Sequence, residues 1–412
     1  MKRFFNKRTF LIFLAIIFFL IAWNREINLL YAMFALLAST LILSHLLPRY
    51  SLKGITAERQ IASTAFEGDE MDVRVTLRNN HWNSRYMIEV VDSIPAAEPG
   101  HQYPMSFVVR LKGRKKREYS FKMNCYKRGE YTVGPLALRS AYPLGISSST
   151  KNIPETHLPL LVYPEMFEIP HLPLRAKGHT PMLGVELISK AGGSEEFLGV
   201  REYKQGDSLR YIHWPSTAKH SRYIVKEFEI RASTEVTVLL DLHKGSNIGE
   251  GKETTLEYAV KIAASISKYV LERGHSLQLI GYGERPHIIP YAKGLSQLAR
   301  ILEELARVKC DGEIFYSRAL PHSSDFLRDG GTAVLLFSHI NKNIEDYLYS
   351  LSLLRAKRMR FISVFIHPGS FSSSRTDPSP SEMAPLVQEL VSEGHPVYFV
   401  SKGDDLQRVF AE

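Results

Sequence analysis

Two uncharged apolar runs near the amino terminus constrain the fold of this chain more than any other feature. One reads FLIFLAIIFFLIAW at residues 10–23, and the other reads INLLYAMFALLASTLILSHLL at residues 27–47. A helix of about 21 residues is about 31 Å long, which matches the hydrocarbon core of a bilayer. Neither run has the polar face that a helix of a soluble domain requires. We therefore expect a transmembrane hairpin in residues 1–50, with helices at about 9–23 and 27–47.

A cleaved signal peptide is the alternative for the first run, because a basic start precedes its apolar middle. The sequence that follows, Ala22-Trp23-Asn24-Arg25, lacks the small residues of a cleavage site. Lys and Arg flank the two runs on their outer sides, whereas the turn between them holds only Arg25 and Glu26. The positive-inside rule then predicts that both termini lie in the cytoplasm. We expect a multi-pass protein of a cell membrane, of the bacterial inner-membrane type.

Residues 51–150 alternate apolar and polar side chains in short segments, which is typical of β-strands. The clearest segments are Met71–Asn79, Ser106–Leu111 and Arg117–Met123. Strands at this spacing, separated by Gly-, Pro- and Asn-containing turns, predict a small antiparallel β-sandwich-like domain. Residues 114–117, Arg-Lys-Lys-Arg, suit a lipid or nucleic-acid contact, but we favour a solvated hairpin tip. The prolines of residues 151–191 favour an extended connection to the next domain.

Residues 192–234 are the chemically richest segment and contain the candidate site. The candidate residues are Arg201, Glu202, Tyr203, Gly206, Asp207, Arg210, His213, Trp214 and Lys219. Three interpretations stay open: a network of ion pairs that holds the segment on the following domain, a surface that docks a partner, or a hydrolase centre with His213 as the base beside Asp207. The chain has no Gly-x-Ser-x-Gly elbow and no GK[ST] phosphate loop, which weakens the third interpretation.

The pattern Arg-Glu-Tyr-x-x-Gly-Asp-x-x-Arg-x-Ile-His-Trp at residues 201–214 resembles the core of the domain of unknown function 58 (DUF58) family. The likeness extends over roughly residues 50–412. Further matching stretches are Gly199-Val200, Ala218-Lys219, Val225–Phe228, Lys127–Tyr131, Gly134–Leu136, Tyr142–Gly145 and Val162–Pro164. The resemblance implies a C-terminal von Willebrand A-like domain and a partnership with MoxR-type AAA+ ATPases, in a chaperone-like or assembly role.

Residues 235–412 alternate buried-type strands with amphipathic helices, which predicts a largely parallel sheet covered on both faces. Its order resembles a von Willebrand A domain, a Rossmann-like α/β fold in which an acid after the first strand opens an Asp-x-Ser-x-Ser loop that binds a divalent cation. The corresponding positions here are Asp241, His243 and Gly245, so both hydroxyl ligands are missing. Because Mg²⁺ requires oxygen ligands in near-octahedral geometry, we expect no cofactor and keep a degenerate metal site at Asp241 as an alternative.

These patterns together predict a multi-domain, membrane-anchored protein-binding or scaffold protein that contacts the lipid bilayer through its hairpin and is not an enzyme. Metal-dependent, adhesion-type binding at Asp241 and hydrolysis by Asp207 and His213 are the alternatives. Nucleic-acid binding ranks last, because the net charge of +9 comes without a recognised nucleic-acid motif. The two cysteines, Cys125 and Cys310, are too few for a disulfide framework.

Overall fold

The computed structural model of the chain describes residues 7–92, 94–98, 106–174, 195–205, 207, 209–230, 234–338, 344–372 and 380–411. The chain divides into two compact units, Met1–Glu165 and Met166–Glu412. Each unit contains its own cluster of buried apolar side chains. A core of this kind is what allows a domain to be stable by itself, so the multi-domain organisation expected from the sequence is present.

Two helices begin the first unit, α1 (Lys7–Arg25) and α2 (Asn28–Leu52). Both are long and apolar enough to cross a membrane, as the sequence predicts. They pack against each other, and the ring centroids of Phe19 and Phe34 lie 5.0 Å apart. Most of the other large apolar side chains on the two helices are exposed. Helix α2 continues beyond the predicted end at residue 47, and Leu52 in its last turn is buried in the core of the first unit.

Ten strands in three sheets form the described remainder of the first unit. The strand orders are β1-β3-β6, β2-β10-β7 and β5-β4-β8-β9, and every pair is antiparallel except β2 with β10. Strict alternation along β3 directs every second side chain into the core, as expected for a half-buried strand. The strands are β1 (Ile55–Gln60), β2 (Thr64–Phe66), β3 (Glu70–Asn79), β4 (Arg85–Val91), β5 (Ser106–Leu111), β6 (Lys116–Asn124), β7 (Gly129–Val133), β8 (Leu136–Ser140), β9 (Ser149–Ile153) and β10 (Leu158–Tyr163).

Strands β9 and β10 extend the first unit beyond residue 150, which corrects the boundary expected from the sequence. Leu160 and Val162 of β10 are fully buried in the core of the unit. The prolines of this stretch, Pro159 among them, favoured an extended connection over a strand. At Pro159, however, β10 pairs on one side only, with β7, because its pairing with β2 begins at Leu161. An edge position tolerates the missing N–H of proline. Of the expected connection over residues 151–191, residues 175–191 lie outside the described part of the chain.

A six-stranded sheet dominates the second unit, in the order β17-β16-β13-β18-β19-β20. Five of these strands are parallel, and β17 is antiparallel at one edge. The elements of the second unit are β11 (Glu195–Glu202), α3 (Trp214–His220), β12 (Ile224–Ile230), β13 (Glu235–Leu240), β14 (Gly249–Glu250), β15 (Glu253–Thr254), α4 (Thr255–Glu272), β16 (Ser276–Tyr282), β17 (Pro286–Ala292), α5 (Leu295–Arg307), α6 (Tyr316–Ser323), β18 (Thr332–Phe337), α7 (Ile344–Ala356), β19 (Arg360–Ile366), α8 (Pro380–Ser392), β20 (Val397–Val400) and α9 (Leu406–Val409). The largely parallel α/β sheet predicted from the sequence is therefore present.

Candidate functional site

Strands β11 and β12 form an antiparallel hairpin, and the turn between them carries all the candidate residues except Arg201 and Glu202, which end β11. The pairing runs from Glu195 opposite Ile230 to Glu202 opposite Ile224. The chain then passes through a short 3₁₀ turn, Leu209–Tyr211, and through helix α3 before it returns. We call residues 201–226 the signature turn. Two sets of contacts within the turn hold its backbone.

An ion pair between Arg201 and Asp207 closes the first part of the signature turn. Arg201 Nη1 and Nη2 donate to Asp207 Oδ2 and Oδ1 at 2.7 Å and 2.8 Å, and the backbone N–H of Lys204 donates to Oδ2 at 2.8 Å. The hydrogen bonds from Arg201 are the main cause that lowers the pKa of Asp207 to about 2. Asp207 is therefore ionised at neutral pH, and its carboxylate oxygens accept the hydrogen bonds that brace the turn.

His213 ties helix α3 to strand β12 in the second part of the turn. Its backbone N–H donates to the carbonyl oxygen of Ile224 at 2.7 Å, and its Nδ1 lies 2.7 Å from Ser216 Oγ. Thr217 Oγ1 accepts from the backbone N–H of Ile224 at 3.0 Å. The hydrogen bonds described for Asp207 and His213 do not join these two residues, so the arrangement differs from a catalytic acid–base relay.

Three large apolar side chains point outward from this braced turn. Leu209 is 68% exposed, Trp214 is 63% exposed and Tyr223 is 59% exposed. Arg210 and Lys219 are exposed on the same turn. Glu202 forms an exposed ion pair with Arg222. Aromatic side chains and arginine are enriched in protein interfaces. Exposure of such apolar groups on a folded surface does not stabilise the fold, so it points to an interaction site.

The structure narrows the interpretation of the candidate residues. The hydrogen bonds given above for Arg201, Asp207 and His213 all end within residues 201–224, so they brace the turn itself. These bonds do not test the interpretation in which ion pairs hold the segment on the following domain. Tyr203 packs its ring edge-on against Tyr223, with centroids 6.1 Å apart. Gly206 lies outside the described residues.

The sequence-based prediction missed Leu209, Ser216 and Tyr223 as members of the site. Leu209 and Tyr223 each stand beside an arginine, Arg210 or Arg222. An apolar residue within a strongly charged segment is a signal that could have identified both. Ser216 follows His213 by three residues, which is the spacing at which side chains at a helix start meet.

Asp241 lies directly after strand β13, at the carboxyl end of the sheet, and is buried. The backbone N–H of His243 donates to Asp241 Oδ1 at 3.1 Å, and Ser246 Oγ donates to the carbonyl oxygen of His243 at 2.6 Å. Ser338, just after the neighbouring strand β18, is buried and its hydroxyl has no hydrogen-bond partner among the described residues. Within the described residues, no group of three or more His, Cys, Asp and Glu side chains is arranged to hold a metal ion.

Comparison with known families gives a match over residues 199–366 to the family described as "Protein of unknown function DUF58". That range contains the whole signature turn and five of the six strands of the large sheet, all except β20. Among curated proteins, the chain is 26% identical over 271 residues to the uncharacterized protein YeaD of Bacillus subtilis (strain 168). The match covers 65% of this chain and spans 65% of the length of that relative.

The likenesses to solved structures include two of low structural similarity. One is to the CARDB domain of a Pyrococcus furiosus protein, at 12% identity and a TM-score of 0.18, covering 26% of this chain and 94% of that domain. The other is to a GH20 exo-β-N-acetylglucosaminidase of Vibrio harveyi, at 7% identity and a TM-score of 0.20, covering 84% of this chain and 81% of that enzyme. At these scores, neither likeness bears on the fold or the function of this chain.

Proposed function

We propose that this chain is a membrane-anchored protein-binding or scaffold protein, without catalytic activity, whose signature turn docks a protein partner. The observation that carries the proposal is the exposure of Leu209, Trp214 and Tyr223 on a turn that its own hydrogen bonds hold in place. Aromatic side chains on a rigid support suit a binding hot spot, because little conformational entropy is lost when a partner covers them.

The partner should present an apolar pocket surrounded by acidic side chains. Arg210, Lys219 and Lys226 are exposed on the same turn as the apolar anchors. Opposite charges around an apolar centre speed association and fix the orientation of the partner. The resemblance of residues 201–214 to the DUF58 core makes a MoxR-type AAA+ ATPase the first partner to test, in a chaperone-like or assembly role.

In the proposed arrangement, α1 and α2 cross a cell membrane as a hairpin, and both termini lie in the cytoplasm. The length of the helices and their exposed apolar side chains support this arrangement, because such surfaces are stable in lipid and unfavourable in water. The connection between the helices is only a few residues long. Nearly all of the polypeptide would then lie on the cytoplasmic side, where an ATPase can reach it.

For the six-stranded sheet we propose a von Willebrand A-like fold. When the six strands are numbered along the chain, their order is 3-2-1-4-5-6, and the third strand is the antiparallel edge. This order is that of doubly wound α/β sheets, which bind ligands at the carboxyl ends of their strands. The end of β13 at Asp241 would then face the binding side of the sheet.

A metal-dependent binder at Asp241 is the second candidate. It is favoured by a buried carboxylate and by the buried Ser338 hydroxyl at the same edge of the sheet, which has no hydrogen-bond partner within the described part of the chain. Titration calorimetry with Mg²⁺ and Mn²⁺ tests it, with Asp241→Asn as the control. Heat that disappears in Asp241→Asn would establish the metal site, whereas the absence of heat would remove it.

A hydrolase centred on Asp207 and His213 has less support, because the Asp207 carboxylate is bound to Arg201. His213→Gln separates the two roles. If His213 is structural, this variant lowers the thermal stability of the protein and leaves any turnover of ester or phosphate substrates unchanged. A loss of turnover at unchanged stability would favour the hydrolase.

The docking proposal is tested in two steps. Crosslinking in native membranes followed by mass spectrometry identifies the partner, and the purified partner is then titrated against the full chain in nanodiscs. We expect Leu209→Ala and Trp214→Ala each to weaken binding by about 30-fold, the loss expected for an interface hot spot. Leu295→Ala is the matched control for Leu209→Ala, since Leu295 is 75% exposed on α5. Unchanged affinity in both turn variants would contradict the proposal.

A further inference from the structure

Three segments of the first unit meet beside the end of helix α2 and form one surface, which we call the basic face. It consists of residues 49–54 at the end of α2, residues 79–85 between β3 and β4, and residues 110–117 between β5 and β6. These segments contain nine Lys and Arg residues, of which Arg85 is buried, and no Asp or Glu. Their summed charge equals the formal net charge of +9 of the whole chain. The rest of the chain, with 43 acidic residues, is therefore electrically balanced.

Hydrogen bonds between the three segments show that they adjoin in space. The backbone N–H of Asn80 donates to the carbonyl oxygen of Gly54 at 3.0 Å, which joins the second segment to the first. The backbone N–H of Arg114 donates to the carbonyl oxygen of His81 at 2.8 Å, which joins the third segment to the second. The basic face is thus a fixed part of the first unit.

Trp82 stands out from the middle of this face, and its side chain is 77% exposed. Its backbone is in close contact with the basic hairpin tip, since a Cβ on Gly113 would lie 1.7 Å from the carbonyl oxygen of Trp82. Lys112, Arg114 and Lys115 are exposed around it. Trp is enriched where proteins meet the lipid headgroups, because its ring is apolar and its N–H is polar.

The basic face is also attached to α2 at the level where that helix would leave the bilayer. The guanidinium of Arg85 is buried and lies over the ring of Tyr50, 4.1 Å from the ring centroid. Asn83 Nδ2 donates to the hydroxyl of Tyr50 at 3.2 Å. A span that begins near residue 28 reaches about 30 Å after about 20 residues, which places Tyr50 in the headgroup region.

We propose that the basic face lies on anionic phospholipid headgroups, with Trp82 inserted at the interface and Lys112, Arg114 and Lys115 against lipid phosphates. This inference rests on the proposed crossing of the membrane by α2. Basic side chains beside a membrane span are attracted by anionic lipids, and an isolated solvated hairpin tip would need neither the exposed Trp82 nor the link to α2. Lys116 contributes less, because it is paired with Glu118 at 2.7 Å.

The test uses the full chain in nanodiscs that contain lipids brominated near the headgroup, which quench nearby tryptophan. A variant that keeps only Trp82 carries Trp23→Phe and Trp214→Phe, and a variant that keeps only Trp23 carries Trp82→Phe and Trp214→Phe. We expect at least twofold stronger quenching of Trp82 in discs with 30% phosphatidylglycerol than in phosphatidylcholine alone. Quenching of Trp23, in contrast, should be the same in both.

Two sets of charge substitutions decide the cause of the quenching. Lys112→Gln, Arg114→Gln and Lys115→Gln together should abolish the extra quenching of Trp82 by phosphatidylglycerol. The control removes the same charge from exposed positions of the second unit by Arg300→Gln, Lys309→Gln and Lys402→Gln, and should leave the quenching unchanged.

The outcomes separate this inference from the proposed anchoring. Quenching of Trp23 without quenching of Trp82 overturns the basic face as a lipid contact and leaves the membrane crossing intact. Quenching of Trp82 that is equal in both lipids overturns the recognition of anionic headgroups. Failure to quench Trp23 in either lipid overturns the membrane crossing itself, and the basic face with it.

Discussion

Arg201 and Asp207 meet through two parallel hydrogen bonds, with Nη1 to Oδ2 at 2.7 Å and Nη2 to Oδ1 at 2.8 Å. A planar guanidinium and a carboxylate in this geometry fix both the distance and the orientation of the two backbone segments that carry them. The pair joins the end of β11 to Asp207, which lies two residues before the 3₁₀ turn that starts at Leu209. The pair thus braces the first part of the signature turn, which leads to the exposed Leu209, without itself having to touch a partner.

Asp207→Asn should loosen the signature turn without unfolding the protein. Asn offers Arg201 one acceptor oxygen in place of two and removes the charge, and the loss of a hydrogen bond between charged groups costs about 1.5 kcal/mol. We expect the amide of Lys204, which donates to Asp207 Oδ2, to exchange with deuterium about tenfold faster. Asp405→Asn, at the start of α9, is the control and should leave this amide unchanged. Equal exchange rates in Asp207→Asn and wild type would show that the pair does not brace the turn.

The same pair predicts the pH dependence of the turn. Arg201 lowers the pKa of Asp207 to about 2, below the ordinary value of 3.8. Because the folded pKa lies below the unfolded pKa, the stabilisation is fully present above a pH of about 4 and is lost as the pH falls towards about 2. Its size is about 1 kcal/mol, since the 37% exposure of Arg201 admits solvent screening.

Carboxyl ¹³C chemical shifts of Asp207 measure this pKa directly. In Arg201→Leu the midpoint should rise from about 2 towards the ordinary value of 3.8, because the main cause of the shift is gone. In Arg222→Leu, which removes the partner of Glu202, the midpoint should stay at about 2. A midpoint that is the same in wild type and in Arg201→Leu would refute the assignment of the shift to Arg201.

Gly113→Ala should destabilise the first unit, because its Cβ would lie 1.7 Å from the backbone oxygen of Trp82 and a backbone atom cannot rotate away. We expect a loss of about 1–3 kcal/mol in the free energy of unfolding. Urea unfolding followed by fluorescence in the variant that keeps only Trp82 reports on this region. Lys112→Ala, at the exposed neighbouring position, should stay within about 0.5 kcal/mol of the parent. Equal midpoints for the two variants would contradict the close packing of the tip on Trp82.

Much of the fold can be predicted from the hydrophobic pattern, because the spacing of apolar residues shows whether a strand or helix is buried on one face or on both. The strand at Ser276–Tyr282 and the helix at Leu295–Arg307 lie where the apolar pattern places them. The apolar pattern does not predict strand β17, because Pro286 and Pro290 interrupt it. An edge strand tolerates proline, but whether a strand is at the edge is a property of the whole sheet.

The sequence shows which residue types the candidate site contains, but it does not show which side chains pair with each other or which are exposed. The residue types permit Arg201 to pair with either Glu202 or Asp207, and the structure shows that it pairs with Asp207. Glu202 pairs with Arg222. Trp214 is recognisable in the sequence as a large apolar side chain in a polar segment, whereas its exposure depends on how helix α3 is oriented by His213 and Thr217. Local residue types thus set the chemistry, and contacts between residues distant in sequence set which groups face solvent.

The proposed membrane topology predicts which thiols are reachable from outside the cell. Glu26 is exposed in the turn between α1 and α2, and Lys402 is exposed near the end of the chain. In a Cys310→Ser background, a membrane-impermeant maleimide added to intact spheroplasts should label Glu26→Cys, whereas Lys402→Cys should be labelled only after the membrane is permeabilised. The buried Cys125 serves as the internal control, because it should react in neither condition until the protein is denatured. Two outcomes would contradict this topology: labelling of Lys402→Cys in intact spheroplasts, and digestion of the chain beyond residue 60 by protease added outside. Either outcome would place the body of the protein outside the cytoplasm and exclude a cytoplasmic ATPase as its partner.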